Sequence, residues 1–249
     1  MNSMETSSTI NKVLVIGWDL FADRVAHELL TADLTVKVVV NDSLQAQQIE
    51  ATYGKRLSVV ISDFFDFRKM ESAGIDKAQV VLVNLAGDQE KLIYVINLRK
   101  RFPNVKIVAP VTNPRLNESF VTAAEVLPLS KEEVSAKIFA SYLFERDVAD
   151  YLNDLLSPAQ KDADHDIQQQ LLRSGNPYCG KQYGDVFVEL KTNYNAVLIG
   201  MSRPSSDGYQ LHKNPPEATV LQENDYLIVV VDGPVARRLK QEIFGSDES

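Results

Sequence analysis

Residues 12–30 read KVLVIGWDLFADRVAHELL. The aliphatic, β-branched run 13–16 ends in Gly17, and an amphipathic stretch, 20–30, begins three residues later. Val and Ile suit a pleated, buried strand, and spacing of three to four between apolar residues suits one face of a helix. Strand, tight glycine turn and helix in this order form the opening βα unit of a parallel sheet.

Outward from this unit the same alternation repeats to about residue 128. Apolar runs stand at 36–40, 58–62, 80–83, 106–109 and 126–127, with helical stretches at 44–53, 67–73, 90–101 and 117–124 between them. Near-continuous Val/Ile/Leu strands imply a sheet covered on both faces. Right-handed crossovers then lead to a Rossmann-like, doubly wound parallel sheet of six strands in an α/β fold.

Residues 130–156 follow as a longer helical stretch. Ser130 and Glu133 have the spacing of a capping box. Val134, Ile138, Phe139, Leu143 and Phe144 mark one apolar face, which Val148, Tyr151, Leu152 and Leu155 continue past a break near Arg146. Such a face needs a surface to bury against, either its own sheet or a helix exchanged with a second subunit. Residues 157–166 are polar, carry Pro158 and are expected to be a linker. Beyond them stretch 178–190 is expected to be helical, and 196–201, 210–212 and 226–231 to be strands. A helix over 234–244 closes this small α+β lobe. The expected organisation is a disordered start (1–11), a Rossmann-like lobe (12–129), crossover helices (130–156), a linker (157–166), a second lobe (167–245) and an acidic tail (246–249).

The 249 residues carry 26 Lys+Arg against 34 Asp+Glu, a net charge of −8, which disfavours nucleic acid as a partner. The longest apolar runs are about six residues, far below the roughly 20 of a membrane span. The polar start carries no secretory signal pattern. One cysteine, Cys179, excludes an internal disulfide and suits a reducing compartment. A cytoplasmic protein is the expectation.

The turn after the first strand is where a Rossmann fold carries G-x-G-x-x-G. Here it runs Gly17, Asp19, Ala22. Gly17 supplies the tight turn and Ala22 still allows close helix–sheet packing. Asp19 opposes the approach of a pyrophosphate, and its side chain can instead cap the helix start. The position facing the ribose is Asn41, followed by Asp42, with Asn a weaker partner than a carboxylate.

Three segments together resemble the RCK (regulator of potassium conductance) domain, built of TrkA N-terminal and C-terminal parts. They are IGWDLFADRVAHEL (16–29), SDFFDFRKMESAGIDKAQVVLV (62–83) and NPPEATVLQENDYLIVVV (214–231). In the last, Asn224-Asp225 stands where Gly-Asp is usual, and Asn tolerates the same left-handed turn. The resemblance implies a cytosolic ligand-sensing, gating-ring module that controls potassium flux through a membrane channel or transporter. It further implies a homodimer through crossover helices 130–156, a higher ring such as an octamer, and ligand-driven rearrangement of the lobes. A peripheral nucleotide-binding subunit of a Trk/Ktr-type uptake system is the alternative.

The ligands that the resemblance implies are of two kinds. Calcium or another divalent ion would involve Asp63, where calcium-gated members carry an Asp after strand three, with Asp88 and Glu90 close in sequence. Ala86 stands where those members carry Glu, and the acids have a structural alternative as helix caps facing solvent. A nucleotide (NAD, ADP or ATP) would be lined by Gly17, Asp19, Asn41, Asp42, Asp63 and Asn84. Trp18 is expected to be a hydrophobic plug or an interface residue. His27, His165 and His212 lack metal-ligand spacing, and Cys179 is expected to be inert. No nucleophile elbow, Walker lysine or Cys/His signature is present, so no turnover is expected.

Overall fold

The computed structural model describes residues 12–156, 165–205 and 208–245. The polar start (1–11), linker residues 157–164 and the acidic tail (246–249) lie outside the described residues. The chain divides into two compact units, one ending at Phe144 and the other beginning at Glu145.

The first unit is the doubly wound sheet. Its strands are β1 (Lys12–Ile16), β2 (Thr35–Val40), β3 (Leu57–Ile61), β4 (Val80–Val83), β5 (Lys106–Val111) and β6 (Leu127–Ser130). They pair in parallel in the order β3-β2-β1-β4-β5-β6, so the chain reverses direction across the sheet between β1 and β4. The helices between them are α1 (Leu20–Thr31), α2 (Ser43–Tyr53), α3 (Phe67–Ser72), α4 (Asp88–Arg101) and α5 (Asn117–Ala124).

Alternate residues of β1 build two separate cores, as the period of a strand requires. Leu14 and Ile16 pack on one face with Val81 and Val83 of β4, under Tyr94, Val95 and Leu98 of α4. Val13 and Val15 face the other side with Val36 and Val38, under Ala22 and Ala26 of α1 and Ile49 of α2. Full burial of each large aliphatic side chain contributes about 1.5–3 kcal/mol, which explains the unbroken Val/Ile runs.

The helical stretch after β6 breaks where expected. It forms α6 (Lys131–Phe144), which ends the first unit, and α7 (Arg146–Leu156), which opens the second. The Ser130 hydroxyl accepts from Glu133 N–H at 3.2 Å, the first half of the anticipated capping box.

The second unit is a four-stranded antiparallel sheet in the order β7-β10-β8-β9. Its strands are β7 (His165–Leu171), β8 (Val197–Ser205), β9 (Gly208–Lys213) and β10 (Tyr226–Asp232), with α8 (Tyr183–Tyr194) and α9 (Gly233–Leu239) alongside. Two expectations change here. β7 starts at His165, inside the stretch read as linker, because its polar DIQQQ run is held by the apolar run of β10 over seven paired residues. The helix expected from residue 178 starts only at Tyr183. Before it, Gly180 takes φ +87° and residues 180–183 bond by their backbones to Thr219 and Leu221. After α9 the chain widens into a π-helical turn, Lys240–Phe244, which buries Phe244.

Candidate functional site

The end of β1, at the point where the strand order reverses, is where an open α/β sheet offers a ligand crevice. Gly17 sits there at φ +85°. A Cβ at this position would lie 2.5 Å from the Asn84 carbonyl oxygen, so only glycine lets β1 turn this close to the end of β4. Two residues on, Asp19 is the N-cap of α1. Its Oδ1 accepts from Ala22 N–H at 2.8 Å and from Asn84 Nδ2 at 2.7 Å. Of the anticipated pocket residues, the fold therefore joins Gly17, Asp19 and Asn84 into one cluster.

Of the remaining anticipated pocket residues, Asp42 and Asp63 serve the backbone. Asp42 is the N-cap of α2, its Oδ1 accepting from Leu44 N–H and Gln45 N–H at 2.7 and 3.0 Å. Asn41 is exposed beside it. Asp63 accepts from Phe65 N–H at 2.9 Å, an Asx-turn in an exposed loop. Trp18 is half-buried, edge-on to Tyr53 at 6.0 Å between ring centroids, and its carbonyl accepts from Gln45 Nε2. It is a packing residue.

Asp88 opens α4 and reaches across to the end of β5. Its carboxylate accepts from Thr112 N–H and Asn113 N–H and pairs with Lys91 Nζ at 3.3 Å. Burial pushes its pKa up, but the Asn113 and Thr112 amides and the Lys91 ammonium outweigh this and hold it below the usual carboxylate value. Lys91 is itself buried at 4% exposure and also donates to the Pro110 carbonyl. Burial lowers its pKa, the Asp88 charge opposes that, and the Lys131 cation and Asp19 carboxylate act from farther off in opposite senses.

These commitments correct the anticipated divalent-ion cluster. Among the described residues no three of His, Cys, Asp and Glu stand grouped as a metal ion needs. Asp63 lies in an exposed turn, Asp88 is taken by two amides and an ammonium, and Glu90 is exposed on α4. Calcium wants six to eight oxygens, and these side chains do not converge to supply them.

A dinucleotide fares no better at the Rossmann turn. Its pyrophosphate would use the first-turn N–H groups of α1, and Ala22 N–H already has the Asp19 carboxylate. A ribose would look to the end of β2, where Asp42 caps α2 and Asn41 carries no charge. The residues present do not fit the cofactor.

Residues 13–127 match the family model of the TrkA-N domain. The first unit carries a TrkA-N domain. The match stops before the second unit, where the similarity of residues 214–231 to a TrkA C-terminal signature remains an expectation from sequence. No curated protein matches the chain in sequence. Among solved structures, the human SLO3 gating ring shares the fold with a TM-score of 0.66 at 12% identity, over 96% of this chain and 47% of that one. The GsuK RCK domain aligns at a TM-score of 0.46 and 16% identity, over 96% of this chain and 47% of that one. The TrkA-N domain of the inner membrane protein YbaL from Escherichia coli aligns at 0.48 and 16%, over 55% of this chain and 98% of that one. The chain spans less than half the length of the SLO3 and GsuK chains. Among the described residues no helix is long and apolar enough to cross a membrane.

Two lysines of the first unit escaped the reading of the sequence. Lys91 follows Asp88 at the i,i+3 spacing of a helical ion pair, a signal shared with many solvent-exposed pairs. Lys131, at the start of α6, lies 4.7 Å from the centre of the Phe21 ring. Nothing local in the sequence announces that contact.

Proposed function

We propose that this chain is a regulatory module of a potassium channel or transporter, located on the cytoplasmic side and working as an oligomer rather than by catalysis. The TrkA-N domain over residues 13–127 is the first support. The observation that carries the reading is α6, the helix that leaves this domain. None of its residues is buried, although it displays Phe139, Leu143 and Phe144 at 70%, 85% and 76% exposure. In the second unit α7 likewise exposes Tyr151 and Leu156. Apolar surface of this kind favours a covered partner face, and a second copy of the chain supplies the same helices by twofold symmetry.

In this reading α6 and α7 make the homodimer, dimers assemble into a larger ring, and a rearrangement within the ring acts on a pore. The alternative, a nucleotide-binding subunit of a Trk/Ktr-type uptake system, is weakened by the Asp19 carboxylate at the α1 turn.

Light scattering of the chain at micromolar concentration tests the core of the proposal. A dimer or larger assembly is expected, and Leu143→Glu with Phe139→Glu is expected to yield a folded monomer. A wild-type monomer would refute the oligomeric reading. Thermal shift with calcium, NADH, ADP and ATP then sorts the ligand classes, since a ligand at 100 times its Kd stabilises by about 2.7 kcal/mol.

A further inference from the structure

The turn between β1 and α1 holds an anion of its own. Asp19 Oδ1 takes Ala22 N–H, in the first turn of α1, at 2.8 Å, and Asn84 Nδ2, from the end of β4, at 2.7 Å. One carboxylate oxygen thus spans the crevice at the point where the strand order reverses. Those are the donors a phosphate would seek there: a helix N-terminal amide, made attractive by the helix dipole, and a side-chain amide from the facing strand. The crevice floor is equally tight, because Gly17 approaches the Asn84 carbonyl so closely that not even a methyl group fits. The electrostatic setting is therefore that of an anion seat, with the anion supplied in cis.

We infer that Asp19 is a tethered anion that fills the phosphate seat of this Rossmann lobe and excludes free nucleotides from it. The physical reason is competition within the chain. A carboxylate held two residues from Gly17 has an effective concentration at the seat in the millimolar range or above. It also places a like charge against any incoming phosphate within a few ångströms. The lobe keeps the crevice in its filled form without a ligand. This inference stands independently of whether the chain dimerises or acts on a pore.

The test removes the charge and keeps the cap. Asp19→Ser retains a side chain that caps helices as well as Asp does, and Asp19→Asn retains the size of the original. Isothermal titration of the full chain with inorganic pyrophosphate, ADP and NADH is run on wild type and both variants, with circular dichroism to verify folding. Wild type is expected to show no saturable binding at millimolar ligand. A charge-free variant is expected to bind pyrophosphate or ADP at least about tenfold more tightly, a change of about 1.4 kcal/mol. Wild-type binding that neither substitution alters would overturn the inference. So would charge-free, folded variants that still bind none of the three, since the seat would then not be one.

Discussion

Among the described residues, each unit holds an ion pair with an enclosed carboxylate, and the two are built differently. In the first, Asp88 and Lys91 are both nearly enclosed, with side chains 9% and 5% exposed, and the carboxylate has two backbone amides besides the ammonium. In the second, Asp225 is wholly enclosed while Arg203 is 31% exposed. There the guanidinium grips both carboxylate oxygens, at 2.9 and 2.7 Å, with one amide, Gln222 N–H, as the further donor. A planar fork pairs bidentately with a carboxylate and can stay partly in water. An ammonium is a point charge that must be surrounded, and the Pro110 carbonyl helps surround Lys91. The carboxylate of the second unit thus depends on its cation far more than that of the first.

Arg203→Met is the substitution expected to separate the two most. It strands the Asp225 carboxylate at zero exposure, and losing one partner of a buried pair costs about 3–5 kcal/mol. Urea unfolding, with hydrogen exchange on β8 and β10, is expected to show this loss confined to the second unit. Lys91→Met is expected to cost less, about 1–3 kcal/mol, because Asp88 keeps its two amides and only the Pro110 carbonyl is orphaned. Equal losses in the two variants would break the comparison.

Acid sharpens it further. The Asp88 carboxyl titrates below its unfolded value, so its contribution is complete above about pH 4 and disappears as pH falls through the lower, folded value. Lys91 works in the opposite direction: its lowered pKa means that the cost of burying the ammonium, full at neutral pH, is relieved only as the solution becomes strongly alkaline. The urea midpoint of the first unit is expected to fall below about pH 4 in wild type and to fall less steeply in Asp88→Asn. Identical acid slopes would show that the amides around Asp88 do not stabilise its charge.

The smallest effect is expected at Asp19, an exposed cap rather than a buried partner. Asp19→Ala should cost about 1 kcal/mol, and Asp19→Ser a few tenths, measured by urea unfolding. A loss from Asp19→Ala as large as that from Lys91→Met would mean that the link to Asn84 ties β4 to α1 as firmly as a buried pair ties β5 to α4.

Much of the first unit was legible residue by residue. The strand read at 58–62 is Leu57–Ile61, and the helix read at 117–124 is Asn117–Ala124. The last strand, read at 126–127, runs on to Ser130 because Pro128 interrupts the apolar pattern without interrupting the pairing with β5. β7 was not legible. Its Gln170 Nε2 donates to Gln168 Oε1 at 2.9 Å, and polar residues that find partners only after folding resemble a linker beforehand. For the site, Gly17, Asp19 and Asn84 were named and do meet. Asp63, Asp88 and Glu90 were named as ion ligands and do not converge.

The difference is one of range. Runs of Val and Ile long enough to be buried on both faces, broken by helical stretches, determine a doubly wound sheet from sequence alone, because burial acts on every residue of a strand at once. Gly17 and Asn224 were equally local, since a left-handed turn is a property of one residue, and both take positive φ. Which donor an aspartate finds is not local. Asp19 meets Asn84 from 65 residues away, and Asp88 meets Asn113 from 25. Only the parallel pairing of β1 with β4 and of β4 with β5 brings those ends together. That is why composition could mark these carboxylates as notable, while the tertiary structure alone decided that they hold the protein's own backbone.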